Sequence, residues 1–230
     1  MKVFHIIPKE KKSLNNRDFF YFYIMTILII LAHPSKSSFN HAIAKIAKKV
    51  LRDLGHKVIF HDLYSENFKP VLPEEELTKD GKYHKLIRQH CQELVTADGI
   101  IIIHPNWWGM PPAILKGWID RVLRPGVAYE FQEGDLGEGV PMGLLKTRIA
   151  IVFNTADTSK EREDNIFLDP LETLWKNCIF YLCGIKIFYR KMFRIVVTST
   201  DEQRKLWLSE VEQVMERYFG NKGQNEMQNL

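Results

Sequence analysis

The chain contains 230 residues, of which 45% are hydrophobic and 26% are charged, and its formal net charge is +4. These proportions are typical of a folded globular protein and exclude a disordered, collagen-like or disulfide-scaffold chain. Residues 1–26 carry a net charge of +3, so the remaining 204 residues are nearly neutral. The body of the chain therefore gives no indication of a nucleic-acid partner.

The N-terminal part of the chain combines a basic segment with the apolar run Phe19–Ala32. This order resembles a signal peptide, but no small-residue cleavage site follows the run. The fourteen residues of the run are also too few to span a bilayer, which takes about 20 residues. We expect residues 1–24 to lie outside the fold, 25–220 to form one domain and 221–230 to be a tail. The protein is expected to be cytoplasmic, without stable membrane insertion.

Three cysteines are present, Cys91, Cys178 and Cys183, and no two of them form a CxxC pair. An odd number of cysteines without metal-ligand spacing argues against a disulfide framework and against a structural zinc site. We expect reduced, mostly buried thiols and no bound metal.

Five apolar runs alternate with five helical patterns along the chain. The strands are expected at residues 26–31, 57–62, 99–104, 147–153 and 186–197. The helices are expected at about residues 39–54, 82–96, 111–123, 169–183 and 201–219. Runs such as TILIIL and GIIIIH are continuously apolar, which is typical of strands covered on both faces in a parallel sheet. The pattern predicts an α/β fold: a flavodoxin-like, doubly wound, five-stranded parallel sheet in the order 2-1-3-4-5, with helices on both faces.

In such a sheet, ligands bind at the carboxyl ends of the first and third strands, where the strand order reverses. The loop after the first strand is rich in hydroxyl groups and leads into a helix. Backbone N–H groups at a helix N-terminus favour an anion, and Ser37, Ser38 and Asn40 add donors. An equal alternative is that one of the serines only caps the helix. Neither GxGxxG nor GxxxxGK[ST] is present, which excludes a Rossmann dinucleotide fingerprint and a P-loop.

The loop after the third strand contains two adjacent tryptophans, Trp107 and Trp108, between proline and glycine residues. Indole rings in a loop at this position predict a surface for a flat, heteroaromatic ligand. The alternative is that both rings close the end of the sheet as part of the core. The strands before the two loops both end in His-Pro; we expect His33 to hydrogen-bond a phosphate and His104 to be structural.

The residues of these loops resemble the flavodoxin-fold NAD(P)H:quinone oxidoreductases, the DT-diaphorase-like family. The resemblance rests on AHPSKSSFN after the first strand and PNWWGMPPAILKGWIDRVLRPGVAYEF after the third, and it extends over about residues 26–200. The family includes bacterial modulators of drug activity and ancillary reductases of potassium-efflux systems. The resemblance implies a homodimer with non-covalently bound flavin, FAD or alternatively FMN. It also implies NAD(P)H as co-substrate and a quinone-like acceptor.

The resemblance also implies which residues contact the flavin and the acceptor. The implied pyrophosphate contacts are His33, Ser38, Phe39 and Asn40. The implied ring contacts are Pro105, Asn106, Trp107, Trp108, Gly109 and Met110, with a further flavin loop of Asn154, Thr155, Ala156 and Asp157. The implied acceptor contacts are Trp108, Tyr129 and Phe131, the last two often across the dimer interface. The tyrosine–histidine proton relay of mammalian members is absent from this chain, so no catalytic residue is assigned.

The function implied by the resemblance is a two-electron reduction of quinones. In this ping-pong scheme NAD(P)H passes hydride to the flavin, which the protein orients while supplying its electrostatic environment. Trp107, Trp108 and Tyr129 are expected to roof the pocket. Two alternatives stay open: a flavin-binding ancillary subunit of a membrane transport system, and a flavodoxin-type electron carrier. The carrier fits less well because such proteins are strongly acidic.

Overall fold

The computed structural model describes residues 23–77, 83–132, 134 and 139–221. The expected extension, residues 1–24, lies almost wholly outside the described residues, and so does the expected tail, 221–230. Met25, immediately before the first strand, is fully buried.

Within the described residues, seven strands form two sheets. The strands are β1 (Thr26–Leu31), β2 (Lys57–Asp62), β3 (Gly99–Pro105), β4 (Tyr129–Glu130), β5 (Met142–Gly143), β6 (Ile149–Ala156) and β7 (Ile187–Arg194). The main sheet is entirely parallel and has the order β2-β1-β3-β6-β7. The short strands β4 and β5 were not predicted; they pair antiparallel with each other outside the main sheet. The α/β, flavodoxin-like fold class is thus confirmed.

In the parts of the chain that the structure describes, six α-helices connect or flank the strands. They are α1 (Phe39–Asp53), α2 (Lys85–Thr96), α3 (Ala113–Val122), α4 (Lys160–Asn165), α5 (Pro170–Thr173) and α6 (Asp201–Phe219). The sequence patterns did not predict α4. The helix expected at 169–183 is correct in position, but only its first turn is α-helical, because the π-helix Leu174–Tyr181 follows it.

The central strands are buried on both faces, which explains their continuous apolar runs. In β1, Ile27 and Ile29 pack into the cluster formed with α1 and α6, whereas Leu28 and Ile30 pack into the cluster formed with α2 and α3. Successive strand side chains point to opposite faces, so a strand between two helical layers has no solvent-facing position. Each such buried side chain contributes about 1.5–3 kcal/mol relative to an exposed one.

Two short-range signals set the ends of α1. Ser38 is its N-cap and accepts a hydrogen bond from the backbone N–H of His41 at 3.3 Å. Gly55 follows its last residues with a φ of 84°, a left-handed conformation that glycine adopts without strain. The helix therefore begins at the carboxyl end of β1, with its N-terminus at the edge of the sheet where ligands bind in this fold.

The long segment between β2 and α2 is held against α3. Arg121 of α3 donates to Glu76 through Nε at 3.0 Å and to the backbone oxygen of Lys69 at 2.5 Å. Gly117 of the same helix lies so close to Pro70 that a Cβ atom at residue 117 would be 2.1 Å from the Pro70 oxygen. Glycine is required there by the close approach of two backbones.

The cysteines are free thiols in the structure. Burial raises the pKa of both Cys91 and Cys183 to about 11, which keeps these two thiols protonated at neutral pH. Cys178 is exposed.

Candidate functional site

A cavity of about 870 Å³ opens at the carboxyl ends of β1, β3 and β6. Its position is the point where the strand order reverses, and its volume lies in the range of small-molecule sites. The cavity is lined by His33, Ser35, Ser38, Phe39, Asn40, Pro105, Asn106, Trp107, Trp108, Gly109, Thr155, Ala156, Asp157, Thr158, Glu163, Phe167, Pro170, Val196 and Val197.

One end of the cavity is polar and is formed by the N-terminus of α1. The first N–H groups of a helix have no helical partner and form a favourable environment for an anion. Ser38 has a second interaction beyond its capping bond, because its Oγ lies 2.9 Å from His41 Nδ1, and His41 Nε2 lies 3.2 Å from Asp62. Ser38 therefore both caps α1 and lies at the polar end of the cavity.

His33 stands beside this polar end. Its Nδ1 lies 3.0 Å from the backbone nitrogen of Ser35 and 3.2 Å from the Ser35 backbone oxygen, so it accepts from the first in one tautomer and donates to the second in the other. Burial lowers the pKa of His33, and the nearby His41 acts in the same direction, although the contact with Ser35 opposes them. The neutral ring remains a hydrogen-bond donor.

Asn40 connects two walls of the cavity. Its side chain is 2% exposed, and Nδ2 donates to Thr155 Oγ1 at 2.8 Å. Asn40 lies in α1, the helix after β1, and Thr155 lies at the end of β6. In the sheet, β3 separates β1 from β6. The hydrogen bond holds the polar loop and β6 together at the carboxyl edge of the sheet.

The other end of the cavity carries the two tryptophans on a tight turn. Trp107 and Met110 exchange two backbone hydrogen bonds of 3.1 Å. Trp108 and Gly109 between them have φ values of 58° and 72°, as the central residues of a type I′ turn require. A left-handed tryptophan is unusual, and this one is 97% exposed. The hypothesis that both rings close the end of the sheet as core is therefore wrong for Trp108.

Glu163 of α4 is a cavity residue that sequence reasoning missed. Its side chain is 0% exposed; Oε1 accepts from Asn106 Nδ2 and Oε2 from Thr158 Oγ1, both at 2.9 Å. Its sequence context, KEREDN, is that of a solvated charged helix and contains no signal of burial. Phe167, Pro170, Val196 and Val197 are further lining residues that the sequence did not indicate.

His104 lies beneath the cavity and is fully buried, as a structural role predicts. Its Nδ1 is 2.8 Å from the Pro105 oxygen, and its Nε2 accepts from Asn154 Nδ2 at 2.7 Å and Trp175 Nε1 at 3.0 Å. Burial lowers the pKa of His104 to about 4. The ring is therefore neutral, with its proton on Nδ1.

Most of the expected flavin contacts converge on this cavity, but four expected residues do not line it. Asn154 belongs to β6, which continues to Ala156, and its side chain is taken up by hydrogen bonds to His104 and Arg190. Met110 closes the tryptophan turn outside the lining. Tyr129 and Phe131 pack against each other, with ring centroids 5.8 Å apart, away from the cavity of their own chain.

A second polar cluster lies between β2 and α2. His61, Glu66 and His90 place possible ligand atoms within 4.8 Å of one another. His61 contacts Glu66 through Nδ1 at 2.7 Å and Glu93 through Nε2 at 2.6 Å. Trp118 donates to His90 Nδ1 at 2.9 Å, and His90 Nε2 lies 3.5 Å from Glu66 Oε2. These contacts form a cluster of histidine and carboxylate side chains.

The ionisation of this cluster follows from its contacts. Burial alone lowers the pKa of His61, but the hydrogen bonds and charges of Glu66 and Glu93 outweigh it and raise the pKa. Burial alone raises the pKa of Glu66, but its interactions with His61 and His90 lower it to about 2. His61 is thus held between two carboxylates that favour its protonated form.

Comparisons with known proteins agree with this architecture. The sequence model of a protein family described as having a flavodoxin-like fold matches residues 25–216. The chain belongs to this flavodoxin-like family.

Individual relatives within this family are named as oxidoreductases. An NAD(P)H oxidoreductase of Haemophilus influenzae is 36% identical over 185 residues, 79% of this chain and 89% of that protein. The mouse ribosyldihydronicotinamide dehydrogenase [quinone] is 29% identical over 206 residues, 80% of this chain and 87% of that protein. A crystal structure from Streptococcus mutans, 29% identical, superposes with a TM-score of 0.73 and covers 84% of this chain and 100% of its own. The resemblance to NAD(P)H:quinone oxidoreductases is confirmed.

None of the helices within the described parts of the chain is long and apolar enough to cross a membrane.

Proposed function

We propose that this protein is a flavin-dependent NAD(P)H oxidoreductase that reduces quinones or similar acceptors by two electrons. The observation that carries the proposal is one cavity with two different ends: a helix N-terminus that favours an anion, and an exposed aromatic turn that offers a flat surface. A flavin nucleotide combines a phosphate with a flat ring system. The relatives named as NAD(P)H oxidoreductase and as quinone dehydrogenase support the same activity.

The polar end is proposed to hold the phosphate part of the cofactor. The free N–H groups of the first turn of α1, with His33 and Ser38, supply hydrogen-bond donors there. We propose FAD as the cofactor, with FMN as the alternative that cofactor extraction distinguishes.

The aromatic end is proposed to hold the flavin ring. The backbone N–H groups of Trp108 and Gly109 donate to no other group among the described residues, so both remain for a ligand. A bound flavin supplies the hydride-accepting and hydride-donating chemistry. The protein orients the ring between the turn and the loop of Thr155, Ala156 and Asp157, and Trp108 offers a stacking surface for flat substrates.

We further propose that the protein forms a homodimer. Large apolar side chains are exposed around the mouth of the cavity, including Trp108, Met110, Ile166 and Leu168. A patch of this kind marks an interaction surface, and a second copy is proposed to bring Tyr129 and Phe131 to the acceptor pocket. We also propose that residues 25–220 act as the flavin-binding domain and that the protein is cytoplasmic.

The direct test is the spectrum of the purified full-length protein. A yellow preparation should lose its flavin absorbance when NADH or NADPH is added under argon, and menadione should restore it. Extraction and chromatography then identify FAD or FMN. A colourless protein that takes up neither cofactor would refute the proposal.

A further inference from the structure

Glu163 joins three segments that form one side of the cavity. Through its carboxylate it holds Asn106, from the loop after β3, and Thr158, from the loop after β6. Through its backbone oxygen it accepts the N–H of Asp169 at 3.0 Å. The next residue, Pro170, packs on the tryptophan turn, where a Cβ atom at Gly109 would lie 2.8 Å from the proline ring.

The environment of Glu163 is costly for folding. The carboxyl group is fully buried, and no lysine, arginine or histidine among the described residues forms an ion pair with it. A buried acidic group without a cation is less favourable than an apolar side chain of similar volume. A residue selected for stability alone would not be glutamate.

Asn106 makes a second unfavourable contribution to the stability of the fold. It donates a hydrogen bond to Glu163 through Nδ2, and its Oδ1 is buried without a hydrogen-bond partner among the described residues. An unpaired buried acceptor destabilises the folded state. Features that lower stability typically occur at functional sites. The buried carboxyl group of Glu163 and the unpaired Oδ1 of Asn106 are two such features in one hydrogen-bonded pair at the cavity.

We propose that Glu163 is a positioning residue of the flavin site. It sets the relative placement of the tryptophan turn and the loop after β6, and so determines how tightly and in which environment the flavin is held. This inference rests on the proposed function and deepens it. The carboxylate is suited to the task because both of its oxygens accept, so one side chain can fix two donors from different loops.

The test compares Glu163→Gln with Glu161→Gln. Glutamine keeps the size of the side chain but has one acceptor oxygen, so one of the two bonds to Asn106 and Thr158 is lost. Glu161 is an exposed residue of the same short helix and provides a matched control. For each full-length apoprotein, the dissociation constants of FAD and FMN are measured by quenching of flavin fluorescence. Thermal unfolding of the apoprotein and visible circular dichroism of the bound flavin are measured in parallel.

A positioning role predicts that Glu163→Gln raises the flavin dissociation constant about tenfold to a hundredfold, the value of one hydrogen bond to a charged group. The circular dichroism of the bound flavin should also change, which a loss of apoprotein stability alone would not cause. Glu161→Gln should match wild type in all three measurements. If Glu163→Gln does not fold, Thr158→Val removes one of the two bonds and should change affinity and dichroism in the same direction.

A purely structural role gives the opposite result: a lower unfolding temperature of the Glu163→Gln apoprotein with unchanged flavin affinity and dichroism. That result would overturn the inference and leave the proposed function intact. Failure of the wild-type protein to bind either flavin would instead refute the proposed function, and this inference with it.

Discussion

Asn40 and Thr155 are 115 residues apart in the chain, and the amide nitrogen of Asn40 lies 2.8 Å from the hydroxyl oxygen of Thr155. The bond joins the start of α1 to the end of β6 over the carboxyl end of β3, which lies between β1 and β6 in the sheet. The loop after β1 and the loop after β6, two of the implied flavin-binding segments, are therefore held together before any ligand arrives.

Trp108 tests whether the strained aromatic turn serves binding. Trp108→Gly should leave the free energy of unfolding within about 1 kcal/mol of wild type, because relief of the left-handed strain opposes the added freedom of the unfolded chain. Flavin or menadione binding should weaken about two- to tenfold, the value of one stacking contact. Urea unfolding and fluorescence titration measure the two effects.

The conservative variant Trp108→Phe keeps an aromatic face and should retain more affinity than Trp108→Gly. Equal binding by wild type and Trp108→Gly would show that the exposed indole does not contact the ligand.

Substitution of Gly117 tests whether α3 and the segment before α2 must lie as close together as they do in the structure. Gly117→Ala should destabilise the protein by about 1–3 kcal/mol, because the new Cβ atom meets the Pro70 backbone rather than a flexible side chain. This sign is opposite to helix propensity, which favours alanine over glycine by about 1 kcal/mol. Urea unfolding measures the change.

Lys116→Ala, an exposed position on the same helix, is the matched control and should change stability by less than about 0.5 kcal/mol. Stabilisation by Gly117→Ala would mean that the two backbones separate easily.

The cluster of His61 and Glu66 should stabilise the fold most between pH 4.5 and 6.5. The pKa of Glu66 falls from an ordinary 4.5 to about 2 in the folded protein, so its contribution is present above pH 4.5 and lost as the pH falls toward 2. The pKa of His61 is raised above its ordinary 6.5, so its contribution is present below pH 6.5 and lost as the pH rises through the folded value. Urea unfolding of wild type and His61→Gln across this range measures the difference, which should be largest near pH 5.5 and shrink at pH 9. A difference that does not vary with pH would contradict the ion-paired cluster.

His104 should make the protein sensitive to acid. Its pKa is about 4 in the folded protein against an ordinary 6.5, so between these values the unfolded chain binds a proton that the folded protein excludes. The stability it contributes is present above pH 6.5 and falls by up to about 1.4 kcal/mol per pH unit as the pH decreases toward 4. His104→Gln keeps an acceptor for Trp175 but does not titrate, so it should lose less stability between pH 7 and pH 5. Parallel loss in both proteins would show that His104 is not the responsible group.

Several elements were readable from local sequence because their causes are local. The run TILIIL is apolar at every position since β1 is covered on both faces, and Ser38 and Gly55 mark the two ends of α1 by their own capping chemistry. The tryptophan turn was located by its residues, although its left-handed geometry and the exposure of Trp108 were not.

Other features depend on contacts between distant segments. Asn154 was expected at the cavity but points to His104 and Arg190, because residues distant in the chain supply its hydrogen-bond partners. Glu163 gave no signal, because a glutamate in a charged helix looks the same whether it faces solvent or the cavity.

Periodicity, capping and loop residues act over short distances, so they sufficed to predict the five strands of the main sheet, the edge where a ligand is expected and the resemblance to quinone reductases. Which polar side chains meet depends on contacts across the folded chain. Those pairings, Asn40 with Thr155 and Asn106 with Glu163, form between loops brought together by parallel strands, and no local pattern in the chain records the distance between them.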